Sequence, residues 1–184
     1  MKQSLLLATA LMLGSPCAAA GESLVSIDPW LSEETGVTDV SLEGKWEFYW
    51  GCVRFVPHRH ADFVYDVPLE DCQGGGQIAF TASLHRVDER LLLVVGPKVP
   101  DEVMLVLPVY WLFKVELDDD TMNLFSIDHE SFDWRAAGAS IEHKNGLVLS
   151  PTEDLMAFLS WQVGDFSFFE AEPEYTLRKI ESDN

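Results

Sequence analysis

The chain has 184 residues, with 12 Lys and Arg against 31 Asp and Glu, and a formal charge of −19. That balance argues against nucleic acid and anionic lipid surfaces as partners, because phosphates are repelled, whereas a basic partner or divalent counterions would be attracted. The length suits one domain with a real core, and no segment after the leader reads as a membrane span: Val103 to Phe113 is too short and contains Pro108.

The first residues read as an address. Lys2, an apolar run from Leu5 to Leu13, and Ala18-Ala19-Ala20 before Gly21 form a secretory signal peptide over 1–20. Cys17 follows Gly14-Ser15-Pro16, a poor context for lipidation. The expected product is exported, periplasmic or secreted, and more acidic still, since cleavage removes Lys2 and no acid. It keeps Cys52 and Cys72. An even count in an oxidising compartment predicts a disulfide between them. Such a bridge closes a loop of about 20 residues and contributes about 3 kcal/mol in the chain-entropy account. Two buried free thiols are the alternative.

The segment 21–40 has little periodicity and is expected to be irregular, with Trp30 tucked against a single domain over 41–180; 181–184 is a polar tail. Lys45 to Trp50 alternates, with Trp46, Phe48 and Trp50 on one face, as a half-buried strand does. Gly51 ends it, and Cys52 to Val56 continues it past a bulge. Phe63 to Val67 is a short strand halted by Pro68, and Gly74-Gly75-Gly76 marks a turn. Gln77 to His85 alternates most cleanly: Ile78, Phe80, Ala82 and Leu84 face one way, Thr81, Ser83 and His85 the other. Asp88-Glu89 turns the chain into the more buried strand Arg90 to Val95.

Val103 to Leu117 alternates again, with Trp111 and Phe113 in its apolar set and Pro108 marking a bulge, an edge or a break. Asp118-Asp119-Asp120 turns into Met122 to Ile127. Asp128 to Ala137 reads as one or two helical turns capped by Asp128. Asn145-Gly146 turns a small hairpin. Ser150-Pro151-Thr152-Glu153 reads as a helix start, with Ser150 as cap and a helix to about Gln162. Phe166 to Phe169 and Tyr175 to Ile180 are the closing strands. Short strands without βαβ alternation predict a mainly β fold: an antiparallel meander closing as a barrel, with one short helix late in the chain.

At Gly44-Lys45-Trp46 the sequence resembles the opening motif of the lipocalins. The order of a hairpin over Val109 to Ile127, then Val148 to Glu153 with its helix, then a phenylalanine-rich step and a last strand, is similar to exported bacterial proteins with a lipocalin-like barrel. The threonine-aspartate-tyrosine motif of the fuller lipocalin pattern is missing. The resemblance implies that Trp46 plugs one barrel end under a basic residue of the last strand, Arg178, with Lys179 as the other choice. The aromatic set Trp46, Phe48, Trp50, Trp111 and Phe113 could line a barrel cavity for a small apolar ligand, and the same residues could simply fill the core.

The alternative function is an acidic protein-interaction module, an inhibitor or protective partner of a basic protein. His58-x-His60-x-Asp62, with His85, could hold a metal. A polar loop explains the same residues, and a solvated hairpin tip explains Asp118 to Asp120. The chain lacks the common nucleophile, zinc-protease and phosphate-loop motifs, so no catalytic residue, metal ligand or cofactor is assigned.

Overall fold

The structure, a computed structural model, describes residues 24–49, 51–59, 61–70, 78–98 and 108–180. An eleven-stranded antiparallel-dominated sheet organises them, and eight of its strands close on themselves as a barrel. A two-residue strand, β1 (Val25–Ser26), precedes the barrel. The barrel begins with β2 (Gly44–Phe48), β3 (Gly51–Pro57), β4 (Val64–Glu70), β5 (Ile78–Val87) and β6 (Arg90–Pro97). It continues with β7 (Tyr110–Asp118) and β8 (Thr121–Ser126). Helix α1 (His129–Ala139), the pair β9 (His143–Lys144) and β10 (Leu147–Val148), and helix α2 (Thr152–Gln162) come before the last barrel strand, β11 (Tyr175–Ile180).

Each barrel strand from β2 to β8 pairs antiparallel with the next, and β11 enters between β8 and β2 to complete the ring. A closed ring leaves the barrel without free sheet edges. The turns follow the sequence. Val87 pairs with Arg90 across Asp88-Glu89, and Asp118 with Thr121 across Asp119-Asp120. Lys144 pairs with Leu147 across Asn145 and Gly146, both at positive φ, the geometry that favours Asn-Gly in a two-residue hairpin.

Gly51 does not end a strand that resumes past a bulge. It opens a new one that folds straight back, pairing Phe48 with Gly51 and Glu47 with Cys52. The expected strand from Val103 begins, within the described residues, at Tyr110, and Pro108 lies outside it.

Two apolar cores lie on either side of the barrel wall. The inner one contains Leu42, Trp46, Tyr65, Leu84, Leu93, Phe113, Val115 and Leu177. The outer one packs Leu92, Val94, Leu112 and Phe125 against Trp30, Phe132, Leu155, Phe158 and Phe168. Strands β6 to β8 are therefore apolar on both faces, and this is why Arg90 to Val95 reads as a continuous run.

The outer core needs more helix than one late element. α1 is the helix expected over Asp128 to Ala137, three turns long instead of one or two, and it buries only Phe132 and Ala136, an i, i+4 pair. Asp128 caps it, accepting from Ser131 N at 2.6 Å. α2 runs to Gln162 and buries Leu155, Phe158 and Leu159. Its start differs from expectation: Pro151 is the cap residue, no side chain caps it, and the Ser150 hydroxyl accepts from Glu142 N at 2.8 Å instead. Phe166 to Phe169 forms no strand. Phe169 makes one bridge to Ile127, Phe168 and Phe169 fill the outer core, and Phe166 is exposed.

The segment before β2 is more ordered than its sequence suggests. β1 pairs antiparallel with the start of β7 and parallel with β10. Trp30 is fully buried, and its indole N–H donates to the Tyr110 carbonyl at 2.9 Å.

Candidate functional site: a barrel cavity and an outer cleft

Strand alternation sends Trp46, Tyr65, Leu84, Val115 and Leu177 into the barrel at one end. The 3-10 turn Val40–Leu42 stops that end, with Leu42 fully buried beneath it. Asp39 shapes the turn by accepting from Ser41 N at 2.9 Å. The Tyr65 hydroxyl donates to the Asp39 carbonyl and accepts from Asp39 N, at 3.1 and 3.2 Å. Burial pushes the Tyr65 hydroxyl pKa up. Gly44 sits at φ +117°, where a Cβ is strained, so the chain can turn from the stopper into β2 only with glycine there.

Trp46 is the centre of this closed end. It is fully buried, and its indole N–H donates to the Leu42 carbonyl at 2.8 Å. The cation over its ring is Lys179, whose Nζ lies 5.3 Å from the ring centroid and donates to the Ser41 carbonyl at 2.8 Å. Arg178 is exposed. Pairing explains the choice: Lys179 is opposite Trp46 and shares its inward face, whereas Arg178 is opposite Glu47 on the outer wall.

Toward the other end the described residues leave space inside the wall. A cavity of about 210 Å³ lies between Phe48, Val53, Leu69, Phe80, Val95, Trp111, Phe113 and Tyr175. Most of these side chains are half-buried, while those of the closed end are fully buried, so among the described residues the cavity is the less covered end of the barrel. Aromatic edges shape it: Phe80 meets Trp111 at 6.5 Å and Phe113 meets Tyr175 at 5.9 Å, both T-shaped. Tyr175 adds a phenol to this apolar wall. Burial first, and the neighbouring Glu174 next, raise its pKa, so the hydroxyl stays protonated.

Of the residues expected to line the barrel, Phe48, Trp111 and Phe113 do so. Trp46 belongs to the closed end, and Trp50 lies outside the described residues. Val53, Leu69 and Tyr175 were not singled out. The alternation of Gly51–Pro57 and Val64–Glu70 carries the signal for the first two; the bulge reading of Gly51 obscured Val53, and the strand expected to halt at Pro68 hid Leu69, whereas β4 runs through Pro68 to Glu70.

Cys52 is fully buried, although its neighbours Val53 and Phe55 point inward and so place it on the outer face; Cys72 lies outside the described residues. His58 is half-buried after β3, and His60 lies outside the described residues. Among the described residues no group of three or more His, Cys, Asp or Glu comes together as a metal site. Asp118, Asp119 and Asp120 form an exposed hairpin tip. Among the same residues no helix is long and apolar enough to cross a membrane.

A second cleft, also about 210 Å³, lies on the outside of the barrel. It runs between β5 and the strap Pro29–Glu33, with Phe63, Val94 and Tyr110 beside it. His85 is only 1% exposed there and is hydrogen-bonded on both sides, Nε2 to Ser83 Oγ at 2.8 Å and Nδ1 to Thr35 Oγ1 at 3.0 Å. Burial lowers its pKa to about 4, so the ring is neutral at ordinary pH. Comparison with protein-family models, with curated proteins and with solved structures finds no match.

Proposed function

We propose that this chain is an exported, lipocalin-like binding protein that holds a small apolar ligand in its barrel. The observation that carries the reading is the cavity of about 210 Å³ between Phe48, Trp111, Phe113 and Tyr175, inside a closed eight-stranded barrel stopped at the other end by Trp46. The Gly44-x-Trp46 opening and the cation over Trp46 agree with the lipocalin resemblance.

The size of the cavity narrows the ligand. An apolar cavity of about 150 Å³ accepts benzene, while drug-sized ligands need about 300 Å³ or more. A single substituted ring or a short acyl chain fits between those limits. The Tyr175 hydroxyl donates to the Glu174 side chain and keeps an oxygen able to accept, so a ligand with a hydroxyl group should exceed its hydrocarbon analogue in affinity.

The bridge proposed between Cys52 and Cys72 is supported by the even cysteine count after the leader and by the burial of Cys52. Export is supported by the leader sequence. The ligand reading is tested by native mass spectrometry and calorimetry with a series running from benzene through alkylphenols to longer alkyl chains. Binding should rise with ligand size and then stop, and Val53→Trp, which fills the cavity, should remove it. Absence of binding across the series, or binding unaffected by Val53→Trp, would refute the assignment.

A further inference from the structure

We propose that Ser83 and His85, on the outer face of β5, form a nucleophile–base pair that hydrolyses small uncharged carboxylic esters in the cleft beside the strap. The two residues are i and i+2 on one strand, so the pleat places both side chains outward. The Thr35 hydroxyl donates to the Ser32 carbonyl at 3.1 Å, which leaves its oxygen to accept from His85 Nδ1–H. His85 Nε2 is then the acceptor, and the Ser83 hydroxyl donates to it at 2.8 Å. A serine within hydrogen-bond reach of a neutral imidazole whose far nitrogen is fixed by a third group is the arrangement that activates a hydroxyl.

Such a pair without space beside it would be a simple structural link between the strap and β5. Here the cleft of about 210 Å³ supplies that space. Leu31, Phe63, Val94 and Tyr110 give it apolar walls, and Thr81, two residues before Ser83, adds a hydroxyl able to donate to developing negative charge. Glu33 is the acidic side chain of the lining and disfavours anionic substrates. In the proposed step Ser83 Oγ bonds to the ester carbonyl carbon while its proton passes to His85 Nε2. The bond to the leaving alkoxy group then breaks, and that oxygen takes the proton from Nε2. Water repeats the sequence on the acyl-serine, releasing the acid and restoring both residues.

The test uses the full exported chain with its disulfide intact. A fluorophosphonate probe followed by peptide mass mapping should place one adduct on Ser83, and p-nitrophenyl acetate should be hydrolysed at a rate that Ser83→Ala reduces to background. His85→Gln should slow labelling roughly 100-fold, as loss of a general base does. If His85→Gln fails to fold, the pH profile of the unaltered protein decides. Neutral His85 is the base, so labelling should rise between about pH 3 and 5 and then level off, whereas a rate climbing tenfold per unit from pH 6 to 9 belongs to an unassisted hydroxyl and overturns the pair. Absence of a Ser83 adduct on folded protein overturns it equally. The small apolar ligand bound in the barrel should leave labelling unchanged, so this result stands apart from the barrel assignment.

Discussion

Removing Trp46 should unmake the closed end of the barrel, and its parts can be separated. The side chain is fully buried, and truncating a buried tryptophan to alanine costs about 3–5 kcal/mol. Trp46→Phe keeps most of the ring but loses the N–H that donates to the Leu42 carbonyl, leaving that acceptor unpaired, which should cost about 1–2 kcal/mol. Lys179→Met keeps the stem and removes the ammonium. It loses the ring contact and the bond to the Ser41 carbonyl, together about 1–2 kcal/mol. Arg178→Met changes an exposed residue of the outer wall and should stay within about 0.5 kcal/mol. Urea unfolding followed by far-ultraviolet circular dichroism gives all four values, provided the m-values agree. A loss below about 1 kcal/mol for Trp46→Ala, or a larger loss for Arg178→Met than for Lys179→Met, would refute this picture of closure.

His85 makes stability pH-dependent. Its folded pKa of about 4 lies below the unfolded value of 6.5, so the unfolded chain takes up its proton first. The stabilisation is present above pH 6.5 and is lost as pH falls toward 4, about 3 kcal/mol in all. Urea midpoints at pH 7 and pH 5 should fall further apart for the unaltered protein than for His85→Gln, and equal slopes would count against the burial argument. Asp128→Ala removes the cap of α1 and should cost about 1 kcal/mol in the same assay, while no change would mean that the bond to Ser131 N is dispensable. Intact mass of residues 21–184 under non-reducing conditions should show two protons missing, and reduction should lower stability by about 3 kcal/mol; two reactive thiols in the folded protein would end the Cys52–Cys72 proposal.

The barrel was legible because most of its strands report their burial by alternation. Phe80, Ala82 and Leu84 point inward and Ser83 and His85 outward, as their spacing requires. What the pattern could not carry was information that depends on a second layer. α1 shows two buried residues in eleven because one narrow stripe is enough to enter the outer core, where Phe132 meets Trp30 and Phe158 edge to face. Phe166 to Phe169 looked like a strand because four residues cannot distinguish alternation from an irregular turn that buries its last two rings. Arg178 and Lys179 are adjacent, so composition alone could not choose between them; only the register against Glu47 and Trp46 does. The cavity was least legible of all, since the aromatics that line it would fill a smaller barrel equally well.

The segment from Leu24 to Leu42, without periodicity of its own, ties these parts together. Trp30 anchors it in the outer core against Phe132, with ring centroids 6.2 Å apart. It then crosses the outer face of β5, where Val37 N donates to the Leu84 carbonyl at 2.9 Å and Thr35 meets His85. Gly36 passes so close to the Phe63 ring that a Cβ would stand 2.5 Å from it. The segment ends as the stopper, with Leu42 under Trp46. One stretch of chain thus touches the helical layer, the outer cleft and the floor of the barrel. Its lack of periodicity has a physical cause. A strap that rounds a barrel shows the core a different side at each contact, so no single face repeats, and its order comes from isolated anchors, Trp30, Thr35 and Leu42, rather than from a stripe.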